Sequence, residues 1–98
     1  MISIRLYKQG NDLLLAACDE ELIGKKFEEG KFHLDVSEKF YKGESATKEI
    51  LKKFLEESTI ANLVGKETIK CALELGLIDQ DCVIKIKGIP HAQMVRMI

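Results

Sequence analysis

The sequence has few of the features that mark secreted, metal-stapled or membrane-spanning proteins. Its three cysteines, Cys18, Cys71 and Cys82, include no C-x-x-C pair, so neither a disulfide framework nor a zinc ribbon is expected. We predict instead reduced thiols that pack in a core. No apolar run approaches the roughly 18 residues of a membrane span, and nothing resembles a signal peptide. These absences predict a cytoplasmic protein without a membrane partner.

Net charge and aromatic residues are also low. The 15 basic and 16 acidic side chains leave a net charge of −1, which gives no overall field to attract nucleic acid. Aromatic residues make up 6% of the chain, and no RNP-type aromatic motif is present. An RNA-binding surface would therefore have to be a local patch. With 98 residues, 46% of them hydrophobic, the chain is expected to form one domain over residues 1–98.

The central feature of the chain is a predicted strand that leads through a glycine into a helix. Ile60–Val64 has the composition of a buried strand, Gly65 lies where a helix N-cap belongs, and residues 66–75 follow with helical periodicity up to Gly76. Backbone N–H groups at such a helix start can bind an anion such as phosphate. The stretch matches neither the P-loop nor the dinucleotide fingerprint. The alternative is a plain turn in which Asn62 holds loop backbone.

Further strands and a second helix complete the predicted fold. Alternating apolar and polar residues predict strands at residues 2–7, 31–36 and 82–87, and the apolar run 13–18 predicts a central strand in a hairpin with the first. Residues 45–57 predict an amphipathic helix that buries Ile50, Leu51, Phe54 and Leu55. We predict an α+β two-layer sandwich with a mostly antiparallel or mixed sheet and two main helices on one face.

Part of the second sheet face is expected to stay open. The alternation would place one aromatic and several basic side chains there, a modest platform for single-stranded RNA or a plain solvated face. These side chains are Arg5, Tyr7, His33, Lys85 and Lys87.

Acidic residues and histidines offer weaker candidates for a site. Residues 19–21 are three consecutive acids, which could hold magnesium or simply complement a helix start with Asp19 as its N-cap. His33 and Asp35 lie two apart on a predicted strand and could form an acid–base pair or an ordinary surface pair. His91 follows the only proline and is expected on a rigid turn, as a site residue or a plain turn residue. No spacing indicates metal ligands, and no cofactor is expected.

Five stretches together resemble a family of small archaeal proteins known as domain of unknown function 424. They are residues 18–25, 34–36, 40–41, 59–65 and 88–93, which match in order and spacing, so the resemblance extends over nearly the whole chain. The resemblance implies a compact α+β fold, an archaeal cytoplasm and an association with translation or RNA. It supplies no activity, cofactor or catalytic residue. It directs attention to the turns at Gly24-Lys25, Gly65 and Pro90-His91.

Three functional hypotheses follow. The first is a non-enzymatic accessory protein that binds RNA or a ribonucleoprotein through Lys25, Lys26, Lys66 and His91. The second is a protein–protein module, as a homodimer joined through the apolar residues 94–98 or the open sheet face. The third is a small enzyme that uses Asp35 with His91 or His33 around a bound anion. The candidate binding residues are Lys25, Lys26, Asp35, Asn62, Gly65, Lys66 and His91, and no catalytic residue is assigned.

Overall fold

The computed structural model describes residues 1–96 and has the predicted α+β fold. Within those residues it contains eight strands and three helices. They are β1 (Ile2–Gln9), β2 (Asp12–Asp19), β3 (Lys26–Glu29), β4 (Phe32–Asp35), α1 (Glu38–Tyr41), β5 (Glu44–Ala46), α2 (Lys48–Glu57), β6 (Ile60–Val64), α3 (Lys66–Glu74), β7 (Ile84–Ile86) and β8 (Ile89–Val95).

Six of the strands form one mixed sheet in the order β5-β1-β2-β6-β8-β7. The β2–β6 pair is parallel, whereas the other neighbours in this sheet are antiparallel. Because β2 and β6 run the same way, their carboxyl ends meet at one edge, where Cys18 pairs with Val64. This edge is where α3 begins.

Helices α2 and α3 pack on one face of the sheet, as predicted. Helix α2 begins after Thr47, whose hydroxyl accepts a hydrogen bond from the Ile50 amide at 3.2 Å, and it buries Leu51 and Leu55. Helix α3 buries Ile69 and Ala72 against the same core. The sheet contributes every second residue to this core, as a pleated strand must. Its buried sheet residues are Ile2, Ile4, Leu15, Ala17, Ala46, Ala61, Leu63, Ala92 and Met94.

The second face of the sheet is covered in part by the β3–β4 hairpin and α1. These elements build a second core with the alternate residues of the sheet strands. Its buried members are Ala16, Cys18, Leu22, Leu34, Val36, Tyr41, Val64 and Ile86. The hairpin is also joined to the turn after β7, where the Lys87 amide donates to Glu29 Oε1 at 2.6 Å.

Two predicted elements differ from the structure. The predicted strand 31–36 has a different partner, and the predicted helix 45–57 begins at a different residue. Residues 31–36 do not join the main sheet, because β4 pairs with β3 in a separate two-stranded sheet, and Phe32 is 53% exposed. Helix α2 begins at Lys48 rather than Ser45, because Ser45 lies in β5 opposite Ser3. Ile50, predicted to be buried, is 43% exposed.

The C-terminal region also differs from the prediction. The turn lies at Lys87 and Gly88, so Pro90 and His91 are inside β8 and the expected rigid turn at His91 is wrong. Proline has no N–H to donate toward β6. It fits there because the Gly65 carbonyl, which would otherwise accept that hydrogen bond, accepts one from the Ile69 amide instead. Met94 and Val95 belong to β8, and the last residues of the predicted edge strand, 97–98, lie outside the described residues.

Two further expectations concern cysteines and membranes. Cys18 and Cys71 are buried, as predicted, but Cys82 is exposed because it lies in a short turn before β7. No helix within residues 1–96 is long and apolar enough to cross a membrane.

Candidate functional site

The start of α3 is held by a carboxylate from the neighbouring strand. Asp19, at the end of β2, is 3% exposed. Its Oδ1 accepts from the Thr68 amide at 3.0 Å and the Thr68 hydroxyl at 2.8 Å, and its Oδ2 accepts from the Glu67 amide at 3.2 Å. Asp19 therefore caps α3 from the neighbouring strand. The prediction that it caps the turn following it is wrong, because its side chain makes no capping hydrogen bond there.

Gly65 makes this close approach possible. It has φ +106°, and a Cβ built on it would lie 2.3 Å from Asp19 Cγ. The carboxylate thus lies where a phosphate would meet the helix amides, and the amides of Glu67 and Thr68 are already bonded to it. Lys66, beside this turn, is exposed.

Asn62 and His91 lie on neighbouring strands of the main sheet. Asn62 does not hold loop backbone. Its Oδ1 accepts from Gln93 Nε2 at 2.9 Å, across the β6–β8 pair. His91 Nδ1 lies 3.0 Å from the Leu63 carbonyl oxygen, which can only accept, so Nδ1 donates this hydrogen bond. Next to them a groove of about 320 Å³ is lined by Cys82, Ile84, His91, Ala92 and Gln93.

Lys25, Lys26 and Asp35 belong to the hairpin region instead. Lys26 pairs with Asp35 across β3 and β4, and both side chains are exposed. The Lys25 carbonyl accepts from the Val36 amide at 2.9 Å, which fixes the chain before the hairpin. His33 is also on the hairpin. Its Nδ1 lies 3.3 Å from Oε1 of Glu28, which is a carboxylate partner rather than a Ser or Cys nucleophile. Both partners are largely exposed, so this pair is worth little to stability.

The predicted residues therefore form three separate groups. The hairpin holds Lys25, Lys26 and Asp35, the middle of the sheet holds Asn62 and His91, and the start of α3 holds Gly65 and Lys66. Within residues 1–96, no group of three or more His, Cys, Asp or Glu side chains could hold a metal ion.

The predicted RNA platform on the open sheet face does not form. Tyr7 stacks on Phe40 with ring centroids 5.3 Å apart, and its hydroxyl donates to the Phe40 carbonyl at 2.9 Å. Arg5 donates from Nη1 to the Lys39 carbonyl at 2.7 Å. Helix α1 thus engages both side chains, and His33 lies on the hairpin, outside the main sheet.

Buried groups with altered pKa values argue against a nucleophile in the core. Burial raises the pKa of the Cys18 thiol to about 12, and the negative charges of Asp19, Glu20 and Glu21 add to this effect. Burial also raises the pKa of Tyr41 to about 12. Both groups stay protonated near neutral pH, and a protonated thiol is a poor nucleophile.

Sequence reasoning did not identify Arg96, which joins the end of β8 to the end of α2. Its Nη2 donates to the carbonyls of Leu55 at 2.9 Å and Ser58 at 2.8 Å, and also to that of Glu56. A basic residue close after a strand carries no pattern that could have indicated this contact.

The outer edge of β8 was also not located. β7 pairs only with Ile89, Pro90 and His91, so β8 continues beyond its neighbour. Val95, on that continuation, is 70% exposed. The sequence indicated an apolar edge strand in this region but not where its partner strand ends.

Comparisons with known proteins agree with the fold. A search of curated proteins finds no match. An uncharacterized conserved protein from Methanopyrus kandleri is similar in structure, with a TM-score of 0.77 and 24% identity, over 99% of this chain and 95% of that one. The family model "Protein of unknown function (DUF424)" matches residues 7–97, which confirms the resemblance found in the sequence. The chain belongs to the DUF424 family.

Proposed function

We propose that this protein is a non-enzymatic interaction module that pairs with a second copy of itself through the open outer edge of β8. The observation that carries the proposal is a stretch of strand edge, residues 93–95, that has no charged side chain and whose outward backbone groups have no partner among residues 1–96. The cytoplasmic location expected from the sequence is part of this proposal.

Two hydrogen bonds define which way the backbone of β8 points. The Gly65 amide donates to the Pro90 carbonyl at 2.9 Å, and the Arg96 amide donates to the Thr59 carbonyl at 2.7 Å. Pro90 and Arg96 therefore face β6, and by the alternation of antiparallel strands so do the residues at every second position between them. Gln93 and Val95 face the other way, where no backbone hydrogen bond reaches them from any of residues 1–96.

The side chains of this edge do not protect it from pairing. Natural sheets often carry charged residues, especially lysine, on their edge strands, and these charges oppose pairing with the edge of another chain. The free edge of β1 carries the cations Arg5 and Lys8, which repel a second copy of the same edge. Gln93, Met94 and Val95 carry no charge, and Val95 is largely exposed. Two copies of this edge can therefore approach without repulsion.

The edge is also complementary to itself. A two-fold axis beside Met94 would set Gln93 of one copy opposite Val95 of the other. Each of these pairs would exchange N–H to carbonyl hydrogen bonds in both directions.

The test is the oligomeric state of a variant that loses one outward N–H. Val95→Pro removes the outward amide donor but leaves the bonds between β6 and β8 intact. Sedimentation velocity should show a dimer for the natural chain and a monomer for Val95→Pro, with the same far-UV circular dichroism. The matched control, Val95→Thr, keeps the N–H and should remain dimeric. A natural chain that stays monomeric at about 1 mM would contradict the proposal, because such an interface would be weaker than about 4 kcal/mol.

RNA binding is a second candidate, supported by unpaired cations. Lys25, Lys26 and Lys66 are exposed, and none of them makes a salt bridge to another of residues 1–96. Lys48, in contrast, forms a salt bridge, with its Nζ 3.9 Å from Oε1 of Glu67. Fluorescence anisotropy with a labelled single-stranded oligoribonucleotide should show affinity that falls with salt, and Lys66→Ala should reduce the salt slope by about one. Lys48→Ala is the matched control, and salt-insensitive binding would contradict this candidate.

A further inference from the structure

A second groove lies at the opposite edge of the sheet, along the free part of β1. β5 pairs with β1 only at Ile2, Ser3 and Ile4. Just before β5, Gly43 packs so closely on β1 that a Cβ there would lie 2.0 Å from the Ile4 carbonyl oxygen. Beyond this point no strand among residues 1–96 pairs with β1 on that side. The groove has a volume of about 400 Å³ and is lined by Ile4, Arg5, Leu6, Lys42, Gly43, Glu44 and Phe54.

Backbone groups of β1 point outward within this groove, at Leu6, and just beyond it, at Lys8. The Met1 carbonyl accepts from the Glu20 amide at 3.1 Å, on the side of β2. The Ile4 carbonyl faces Gly43, on the outer side. The alternation along an antiparallel strand therefore turns the N–H and C=O of Leu6 and Lys8 outward. These groups can pair with an added strand.

The two walls of the groove differ in chemistry. The wall on the helix side is apolar, with Leu6 at 39% exposure and Phe54 half-buried. Arg5 lies on the other face of β1, where its Nη1 also donates to the Lys39 carbonyl, and Lys42 is a second exposed cation that lines the groove. Glu44, the only acid among the lining residues, lies at the β5 end of the groove.

We propose that this groove binds an extended segment of a partner protein in which an acidic residue adjoins an apolar one. Successive side chains of an extended strand point to opposite faces. The residue opposite Leu6 would face the apolar wall, and its neighbour would face Arg5 and Lys42. The backbone of the segment would bond to Leu6 and Lys8, as in other complexes formed by strand addition. The charge of the wall selects an acidic segment over a basic one.

The test is a binding titration with synthetic peptides. The probe is a fluorescein-labelled octapeptide that alternates aspartate and leucine, followed by anisotropy against the full chain. The comparison peptides are a lysine–leucine octapeptide of the same length and an aspartate–leucine octapeptide with alternate amides N-methylated. We expect binding of the first peptide only. Leu6→Asp should weaken it by about tenfold, because it replaces an apolar contact with a repelling charge.

Two controls separate this groove from the edge of β8. Ile84→Asp changes an exposed apolar residue beside β8, and Val95→Pro changes that edge itself, so both should leave the affinity for the peptide unchanged. N-methylation requires no change in the protein, so its effect does not depend on whether a variant folds. The proposal is overturned by lack of binding at about 1 mM peptide, by equal binding of the lysine peptide, by equal binding of the methylated peptide, or by affinity that Leu6→Asp does not alter.

Discussion

At the scale of single residues, the structure depends on a contact between Asp19 and the start of α3 that joins distant parts of the chain. Asp19 and Thr68 are 49 positions apart in sequence. The sequence indicated a helix start at Gly65 and an acid suited to capping, and both features are present. It could not show that the two meet, because their meeting depends on β2 and β6 being parallel neighbours. Strand order is not encoded in the local pattern of either strand.

The Asp19–Gly65 contact predicts a non-additive pair of substitutions. Asp19→Ala should lower the free energy of unfolding by about 2 kcal/mol, since it removes a buried cap. Gly65→Ala should cost about 3 kcal/mol, because the new Cβ meets the carboxylate and the residue keeps a positive φ. In the double variant the clash is gone, so the loss should be smaller than the sum.

Urea unfolding followed by circular dichroism measures each step of this cycle. Gly76→Ala is the matched control, since Gly76 has φ +71° but open space around its would-be Cβ, and it should cost about 1 kcal/mol. Strict additivity of the Asp19 and Gly65 substitutions would show that the close approach has no energetic consequence.

At the scale of elements, prediction succeeded where one strand or helix contains its own pattern. β1, β2, β6 and α3 were located to within about two residues, because each shows period-2 alternation, a continuous apolar run or helical periodicity. Residues 31–36 also alternate, but their partner is the short β3, which has no comparable pattern of its own. The sequence predicted a turn at Pro90 because proline usually interrupts strands. In the structure Pro90 lies within β8, and a helix amide donates to the Gly65 carbonyl in place of the N–H that proline lacks.

The end of α2 predicts a measurable role for Arg96. The last carbonyls of a helix lack partners within it, and Arg96 donates to those of Leu55 and Glu56 and to that of Ser58, which follows the helix. Arg96→Ala should destabilise the chain by about 2 kcal/mol, since charged groups make the stronger hydrogen bonds. Hydrogen exchange measured by mass spectrometry should show that Arg96→Ala accelerates amide exchange, relative to the natural chain, more in α2 than in α3. Lys53→Ala, an exposed change on the same helix, should change neither quantity, and uniform acceleration in both helices would refute a local role.

At the scale of the whole molecule, the sheet has one core on each face and two unequal free edges. The helix-side core was predictable because the sequence patterns of amphipathic helices and alternating strands indicate which of their sides are buried. The second core combines parts of the hairpin, α1 and buried residues of three sheet strands, β2, β6 and β7, none of which could be assigned to it from sequence alone. The separation of the candidate site residues into three groups has the same origin, since the hairpin removes Lys25, Lys26 and Asp35 from the main sheet.

The second core also predicts how stability depends on alkaline pH. Burial raises the pKa of Cys18 from 9.0 to about 12 and that of Tyr41 from 10.0 to about 12. The unfolded chain loses these protons at the ordinary values, whereas the folded chain keeps them. Stability is therefore complete below about pH 9 and falls as the pH rises toward 12, by up to about 1.4 kcal/mol per pH unit for each group. Urea unfolding between about pH 8 and about pH 10.5 measures this slope. Cys18→Ala should make the slope shallower, and Cys82→Ala, which changes an exposed thiol, should leave it as it is. An identical slope in the Cys18 variant would mean that other groups control the alkaline transition.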